Sequence, residues 1–381
     1  MPDSDKVLCW VHFGDLHITQ AGEQNHRDFL ALIDKANRYF AGRVSFAVLP
    51  GDNADDGAEA QFRLVRDAIE KLSIPLHILP GDHDFHTRSL KAFHTILGAQ
   101  RLPKSIVVDG HRCLFLDIVS AGAGGPDFRL EDAQLDWMAS ELVHADAARQ
   151  KALVFMHAYP SDLRAGADRL RSLLARHRVA CVDMGHTHYN ELANDGRTIF
   201  MATRSTGQVE EGPVGFSVVA VNAGVVSWRF APLAASGPLV LVTRPADHRL
   251  IIDVNSPDQI VRETLAIRAK VWSVDGPCDV VARIDGGAPI PLAPHAGDPS
   301  LWLGSVDVRG MSEGPHSLTV QALDGDGGAD LDTIAFLASR NGRYAPPPRA
   351  RDGSDRDAFG GWPEKGILGT QLGPNRNGRK W

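Results

Sequence analysis

The sequence predicts an α/β layered-sheet domain over residues 1–235, an all-β sandwich of immunoglobulin or fibronectin type over 239–340, and an extended arm or tail over 341–381. Two observations predict the first domain. Short apolar runs alternate with segments of helical spacing for some 190 residues, the pattern of a sheet covered by helices. Aspartates and histidines recur where those runs end, at the edge where open α/β sheets bind ligands. The third observation is the loss of helical spacing beyond residue 239, where strand-like runs are separated only by turn residues.

In order, the first-domain strands are expected at 7–13, 44–49, 75–79, 105–108, 113–118, 152–156 and 179–184, each short, bounded by polar or Gly/Pro residues, and rich in branched or aromatic side chains. Between them, Phe29, Leu32, Ile33, Ala36 and Phe40 share one helix face, as do Leu135, Met138 and Leu142. Consecutive strands follow at 198–203, 215–221 and 225–230, then a small, Pro-containing linker at 234–238. The sandwich strands are expected at 239–243, 250–254, 264–274, 279–284, 302–308, 316–323 and 332–336, with Gly-containing turns between several of them. The last 41 residues carry a Pro triplet at 346–348 and few apolar side chains, although Trp362, Ile367, Leu368, Leu372 and Trp381 could anchor an arm on the body or on a second subunit.

Composition narrows the function classes. The 381 residues are 43% hydrophobic and 23% charged with a net charge of -7, which disfavours duplex nucleic acid or an anionic membrane as partner. No apolar run approaches a membrane span, and the acidic start is unlike a leader, so the expected location is cytoplasmic. Cys9, Cys113, Cys181 and Cys278 are far apart, form no CxxC, and are expected as free thiols.

Five segments carry the chemistry. Gly14-Asp15-Leu16-His17, Gly51-Asp52-Asn53, Gly81-Asp82-His83-Asp84, His157 and Gly185-His186-Thr187-His188 each follow an expected strand. Imidazole suits Zn, Fe, Mn and Co ions, and a carboxylate can bridge two of them at the ~3.5–4 Å of hydrolytic metal pairs. Any one of these segments arises by chance; five in order do not.

This series resembles the calcineurin-like metallophosphoesterase superfamily, whose pattern is D-x-H, G-D, G-N-H-[DE], H and G-H-x-H; the resemblance covers about residues 6–230. It implies a four-layer αββα sandwich and a binuclear metal centre of two divalent or mixed-valence ions. Carried over by position, Asp15, His17 and His188 would hold one ion, Asp82, His157 and His186 the other, with Asp52 bridging and His83 as the catalytic acid toward the leaving oxygen. It implies hydrolysis of phosphate esters by a metal-activated hydroxide. The DLH opening is similar to the bacterial class III cyclic-nucleotide phosphodiesterases, so phosphodiesters are the expected substrates, with a phosphomonoesterase or a non-catalytic binding protein as the alternatives. The purple acid phosphatase pattern fits worse, because position 17 is His and position 55 is Asp.

The chain departs from the pattern at Asp82, where the family has Asn. Two divalent ions, three aspartates and a hydroxide then sum to roughly zero rather than +1, which weakens attraction for dianionic monoesters. Asp84 is expected either to orient His83 or to cap a helix, and Asn53 either to contact the nucleophile or to shape its turn. His12 is expected in the core or on the outer strand face, His86 is not expected to line the pocket although its place three residues past His83 would allow it, and Arg204 is expected at the surface. The sandwich is expected to wall the pocket or to support a homo-oligomer.

Overall fold

A computed structural model of the chain describes residues 6–210, 212–274 and 277–342. The C-terminal arm with its tryptophans and leucines, and the side chain of Cys278, lie outside the described residues.

The first domain contains β1 (Leu8–Phe13), α1 (Gln24–Phe40), β2 (Phe46–Leu49), α2 (Glu59–Ile69), β3 (Leu76–Ile78), α3 (Lys91–Leu97), β4 (Lys104–Val108), β5 (His111–Phe115), α4 (Asp132–Ala147), β6 (Ala152–Phe155), α5 (Ala167–Arg176), β7 (Val179–Met184), β8 (Glu191–Asn194), β9 (Ile199–Ala202), β10 (Gly215–Asn222) and β11 (Val225–Pro232). Two sheets result, ordered β11-β10-β1-β2-β3 and β4-β5-β6-β7-β9-β8. Strands β1, β2 and β3 run parallel, as do β5, β6, β7 and β9, so within each sheet their carboxyl ends emerge at one edge.

The sheets pack face to face through a layer that includes Trp10, Phe46, Phe115 and Phe155. Phe115 and Phe155 stack at 4.7 Å, and Trp10 meets Phe155 edge-on at 5.6 Å. Residues of alternate parity, such as Val11 and Phe13 on β1 or Val154 on β6, face outward and are covered by apolar faces of the helices. Buried on both sides, these strands read as unbroken apolar runs, which is why they are visible in sequence.

The second unit contains β12 (Leu239–Arg244), β13 (Ile260–Val261), β14 (Thr264–Trp272), β15 (Pro277–Ile284), β16 (Ile290–Pro291), β17 (Ala293–His295), β18 (Asp298–Asp307), β19 (Gly314–Asp324) and β20 (Ala329–Ala338). They form sheets ordered β12-β14-β18-β17 and β13-β20-β19-β15-β16 around a shared apolar core. The strand expected at 250–254 does not form. Asp247 caps a single helical turn at His248–Leu250, and the amides of Ile252 and Asp253 bond Gln259 Oε1 at 2.7 and 2.9 Å instead of a ladder. The strand expected at 113–118 stops at Phe115, because Asp117 Oδ1 accepts from the amides of Val119 and Ser120 and turns the chain. Among the described residues, no helix is long and apolar enough to cross a membrane.

The two units are joined by specific contacts. Lys35 on α1 donates to the carbonyls of Pro232, Leu233 and Ala235 at 2.7, 3.2 and 2.7 Å. Trp272, fully buried at the end of β14, packs edge-on against Phe40 at 5.3 Å. Arg229 on β11 makes a two-pronged ion pair with Asp330 at 2.5 and 2.7 Å, and Asp330 also accepts from the Val240 amide. Replacing Asp330 with Ala should cost about 1.5–3 kcal/mol, the usual worth of hydrogen bonds to a charged group. In urea unfolding followed by tryptophan fluorescence, the transition midpoint should fall accordingly; an unchanged midpoint would show that this contact contributes nothing.

Candidate metal centre

The loops that follow the carboxyl ends of β1, β2, β3, β6 and β7 converge. Two groups of side chains place one ligand atom each within 4.8 Å of all the others: Asp15, His17, Asp52 and His188, and Asp52, Asp82, His157 and His186. Asp52 belongs to both. Its Oδ2 lies 3.7 Å from His17 Nε2 and 3.4 Å from His157 Nε2, while its Oδ1 is held by the His83 amide at 2.9 Å. His157 Nε2 and His186 Nδ1 approach Asp82 Oδ1 at 3.3 and 3.4 Å, and His188 Nε2 lies 3.8 Å from Asp15 Oδ2. All seven residues singled out in sequence are thus brought together, with His83 at their margin.

Local backbone makes this crowding feasible. A Cβ at Gly185 would overlap Asp15 Oδ1, and one at Gly81 would overlap Asp52 Oδ1, so each glycine clears space for a carboxylate from another loop. His17, Asp52, His186 and His188 all adopt positive φ, of 42, 51, 67 and 61°. Residues other than glycine rarely occupy that region, and such strain collects at functional sites.

The electrostatics point to missing positive charge. Asp15, Asp52 and Asp82 are all at least 95% buried. Burial drives the Asp15 carboxyl well above its ordinary range, with Asp52 and Asp82 adding to the shift. Burial would raise Asp52 too, but His157 beside it brings it down to about 2. Burial holds His17 near 3, so its imidazole is neutral and able to ligate. The Nε2 atoms of His17 and His188 face each other at 3.0 Å, and Asp15 Oδ1 is buried without a hydrogen-bond partner. A cation satisfies both features at once, and an Asp/His donor set suits Mn, Fe, Co or Zn.

Supporting contacts differ from expectation at several positions. Asp84 does not touch His83. It accepts from the amides of Gly81, Asn53 and Ala54 and from Asn53 Nδ2, at 2.8–3.2 Å, and so clips the β2 and β3 loops together. Burial, then the nearby Asp52, pushes its carboxyl up to about 6, which still leaves it ionised at neutral pH. Asn53 shapes this turn, its Nδ2 also reaching the Leu79 carbonyl at 2.9 Å. His83 is oriented by the backbone of Asp55, whose carbonyl lies 2.7 Å from its Nδ1. That carbonyl requires a proton on Nδ1 and leaves Nε2 for the substrate side. In the same way, the Pro50 carbonyl, 3.0 Å from His157 Nδ1, leaves Nε2 of that ring as the ligand.

Sequence reasoning missed Asp55, Phe128 and Asp183. Asp55 Oδ1 lies 3.5 Å from His17 Nδ1 and is held by Gln208 Nε2 at 2.8 Å. Phe128 packs against the rings of His157 and His186 at 5.8 and 4.8 Å. Asp183 on β7 binds His12 and Trp10 of β1, both at 2.6 Å, so His12 is a core residue tying the strands that precede two ligand loops. No motif marks these three. The acidic Asp183 within an apolar strand was the one available clue. Arg204 stacks on Phe230 at 4.2 Å and donates to the Pro213 carbonyl; His86 is exposed beside His83.

Residues 11–190 match the family described as calcineurin-like phosphoesterase. The chain is 27% identical over 258 residues to the 3′,5′-cyclic adenosine monophosphate phosphodiesterase CpdA of Escherichia coli K12, covering 64% of this chain and 90% of that protein. It is 26% identical over 178 residues to a probable cyclic nucleotide phosphodiesterase of Synechococcus, covering 44% and 66%. A crystal structure of a dimetal phosphatase from Danio rerio superposes with a TM-score of 0.51 at 15% identity, covering 60% of this chain and 98% of that one, which supports the shared fold. Residues 11–190 thus carry a calcineurin-like metallophosphoesterase domain, and this match together with the phosphodiesterase-named relatives supports a metal-dependent phosphoric ester hydrolase.

Proposed function

We propose that the protein is a binuclear-metal phosphodiesterase, with 3′,5′-cyclic nucleotides among its substrates. The observation that carries this reading is the pair of Asp/His groups sharing Asp52, with His83 beside them. Asp15, His17 and His188 would hold one ion, Asp82, His157 and His186 the other, and Asp52 both. Such ions, when bound, supply a nucleophile at neutral pH and neutralise phosphoryl charge. The chain's own residues do the rest. Asp52, fixed by the His83 amide, keeps the two groups in register. Phe128 excludes water from the side of His157 and His186. Water attacks phosphorus and gives up a proton to solvent, the ester bond breaks in line, the leaving oxygen takes the proton on His83 Nε2, and His83 recovers a proton from solvent. Asp82 adds a carboxylate that disfavours dianionic monoesters, and the relatives with the widest coverage are named as phosphodiesterases. The same reading treats the C-terminal sandwich as immunoglobulin-like, serving as a pocket wall or as a contact between subunits.

Three outcomes test the proposal. Purified protein loaded with manganese or cobalt should hydrolyse bis(p-nitrophenyl) phosphate and 3′,5′-cyclic AMP, and chelation should abolish both; turnover that survives complete metal removal would refute the reading. Asp52→Ala should lose hydrolysis and paired metal binding together, as read by metal content after dialysis; two retained ions would remove its bridging role. His83→Ala should keep its metals yet lose roughly 10²–10⁴ in turnover of an alkoxide-leaving diester, the usual worth of a general acid. The loss should be smaller for p-nitrophenolate, which needs no proton; equal losses would argue against proton donation.

A further inference from the structure

His86 has no role in the reaction just described, yet it stands over the reacting edge of the site. It follows His83 by three residues around the single turn His83–Phe85, so both imidazoles project to one side. Their ring centroids are 4.4 Å apart at 38°. One ring nitrogen of each and a carboxylate oxygen of Asp82 all lie within 4.8 Å of one another. His83 Nδ1 is engaged by the Asp55 carbonyl, and Asp82 Oδ1 faces His157 and His186. That leaves His83 Nε2 and Asp82 Oδ2 for a further ligand. An asparagine at position 82 would offer only one ligating oxygen, since its amide nitrogen is a donor. The carboxylate at this position therefore creates a donor set that the family's asparagine could not.

We propose that Asp82, His83 and His86 form a third, inhibitory metal site that takes a zinc-class divalent ion. Two imidazoles and one carboxylate favour zinc over magnesium or calcium, which prefer all-oxygen sets. His86 is exposed, so this site faces solvent, unlike the buried groups beneath it. An ion on His83 Nε2 takes the position of the proton destined for the leaving oxygen, and that proton passes to solvent. The enzyme is then switched off by excess of the metal class that activates it. This inference rests on the binuclear reading above, because Asp82 must serve both the second ion and the third.

The test uses the full chain, first loaded with two equivalents of zinc and then dialysed against rising free zinc. Wild type should take up a third zinc per chain, and its turnover of an alkoxide-leaving diester should fall by roughly 10²–10⁴, matching the loss of the general acid. His86→Gln should stop at two zinc ions and keep its activity at the same free zinc. Asp82→Asn should also stop at two, and added magnesium should leave wild type uninhibited. A wild type that stops at two zinc ions, or a His86→Gln protein that takes a third and is inhibited equally, would overturn the proposal. Fewer than two tightly held zinc ions in the first loading would overturn the binuclear reading, and this inference with it.

Discussion

Three carboxylates, from Asp15, Asp52 and Asp82, are packed together almost out of reach of water, and such a cluster persists only if positive charge is placed among them. The surrounding structure follows from that requirement. The carboxylates leave from the ends of β1, β2 and β3, and the imidazoles opposite them from β6 and β7 of the facing sheet as well as from β1. The sheets must therefore stay in fixed relation, and the buried bonds of Asp183 to His12 and Trp10 tie β1 to β7 just below the site. Asp84 does the same for the β2 and β3 loops through the amides it gathers. Rigid strands, strained turns and buried polar ties all hold like charges where free chains would separate them.

Much of this was legible in the amino-acid sequence for definite reasons. Strands covered on both faces need unbroken apolar runs, so β1, β2, β6 and β7 announced themselves. Ligands that end such strands stand next to glycines, because the turn there has no room for a Cβ. What stayed hidden depended on distant pairings. Asp84 read as a neighbour of His83 because the two are adjacent in the chain, whereas the backbone sends its carboxylate toward residues 53 and 54. The orienting group for His83 is a backbone carbonyl at Asp55, and a carbonyl leaves no mark on residue identity. The segment at 250–254 looked like a strand because most of its residues are apolar, but the amides of Ile252 and Asp253 are taken by the Gln259 side chain rather than by a neighbouring strand.

The linker at 234–238 marks a boundary in composition but not in packing. Leu239, Leu241 and Trp272 belong to the same apolar cluster as Phe40 and Phe216 of the first domain. The end of β11 and the start of the linker also supply carbonyls, from Pro232, Leu233 and Ala235, to Lys35, whose ammonium is otherwise out of water. A passage that looks like a flexible hinge is thus a seat for a buried cation.

That boundary bears on how such a chain can be inherited. A recombination breakpoint at the linker would separate Trp272 from the ring of Phe40 and Arg229 from the carboxylate of Asp330. Either half, transferred alone, would carry an exposed aromatic surface or a stranded charge into its new host. The sandwich is therefore poorly suited to exchange as a cassette between unrelated enzymes, and the catalytic and accessory parts are constrained to change in step.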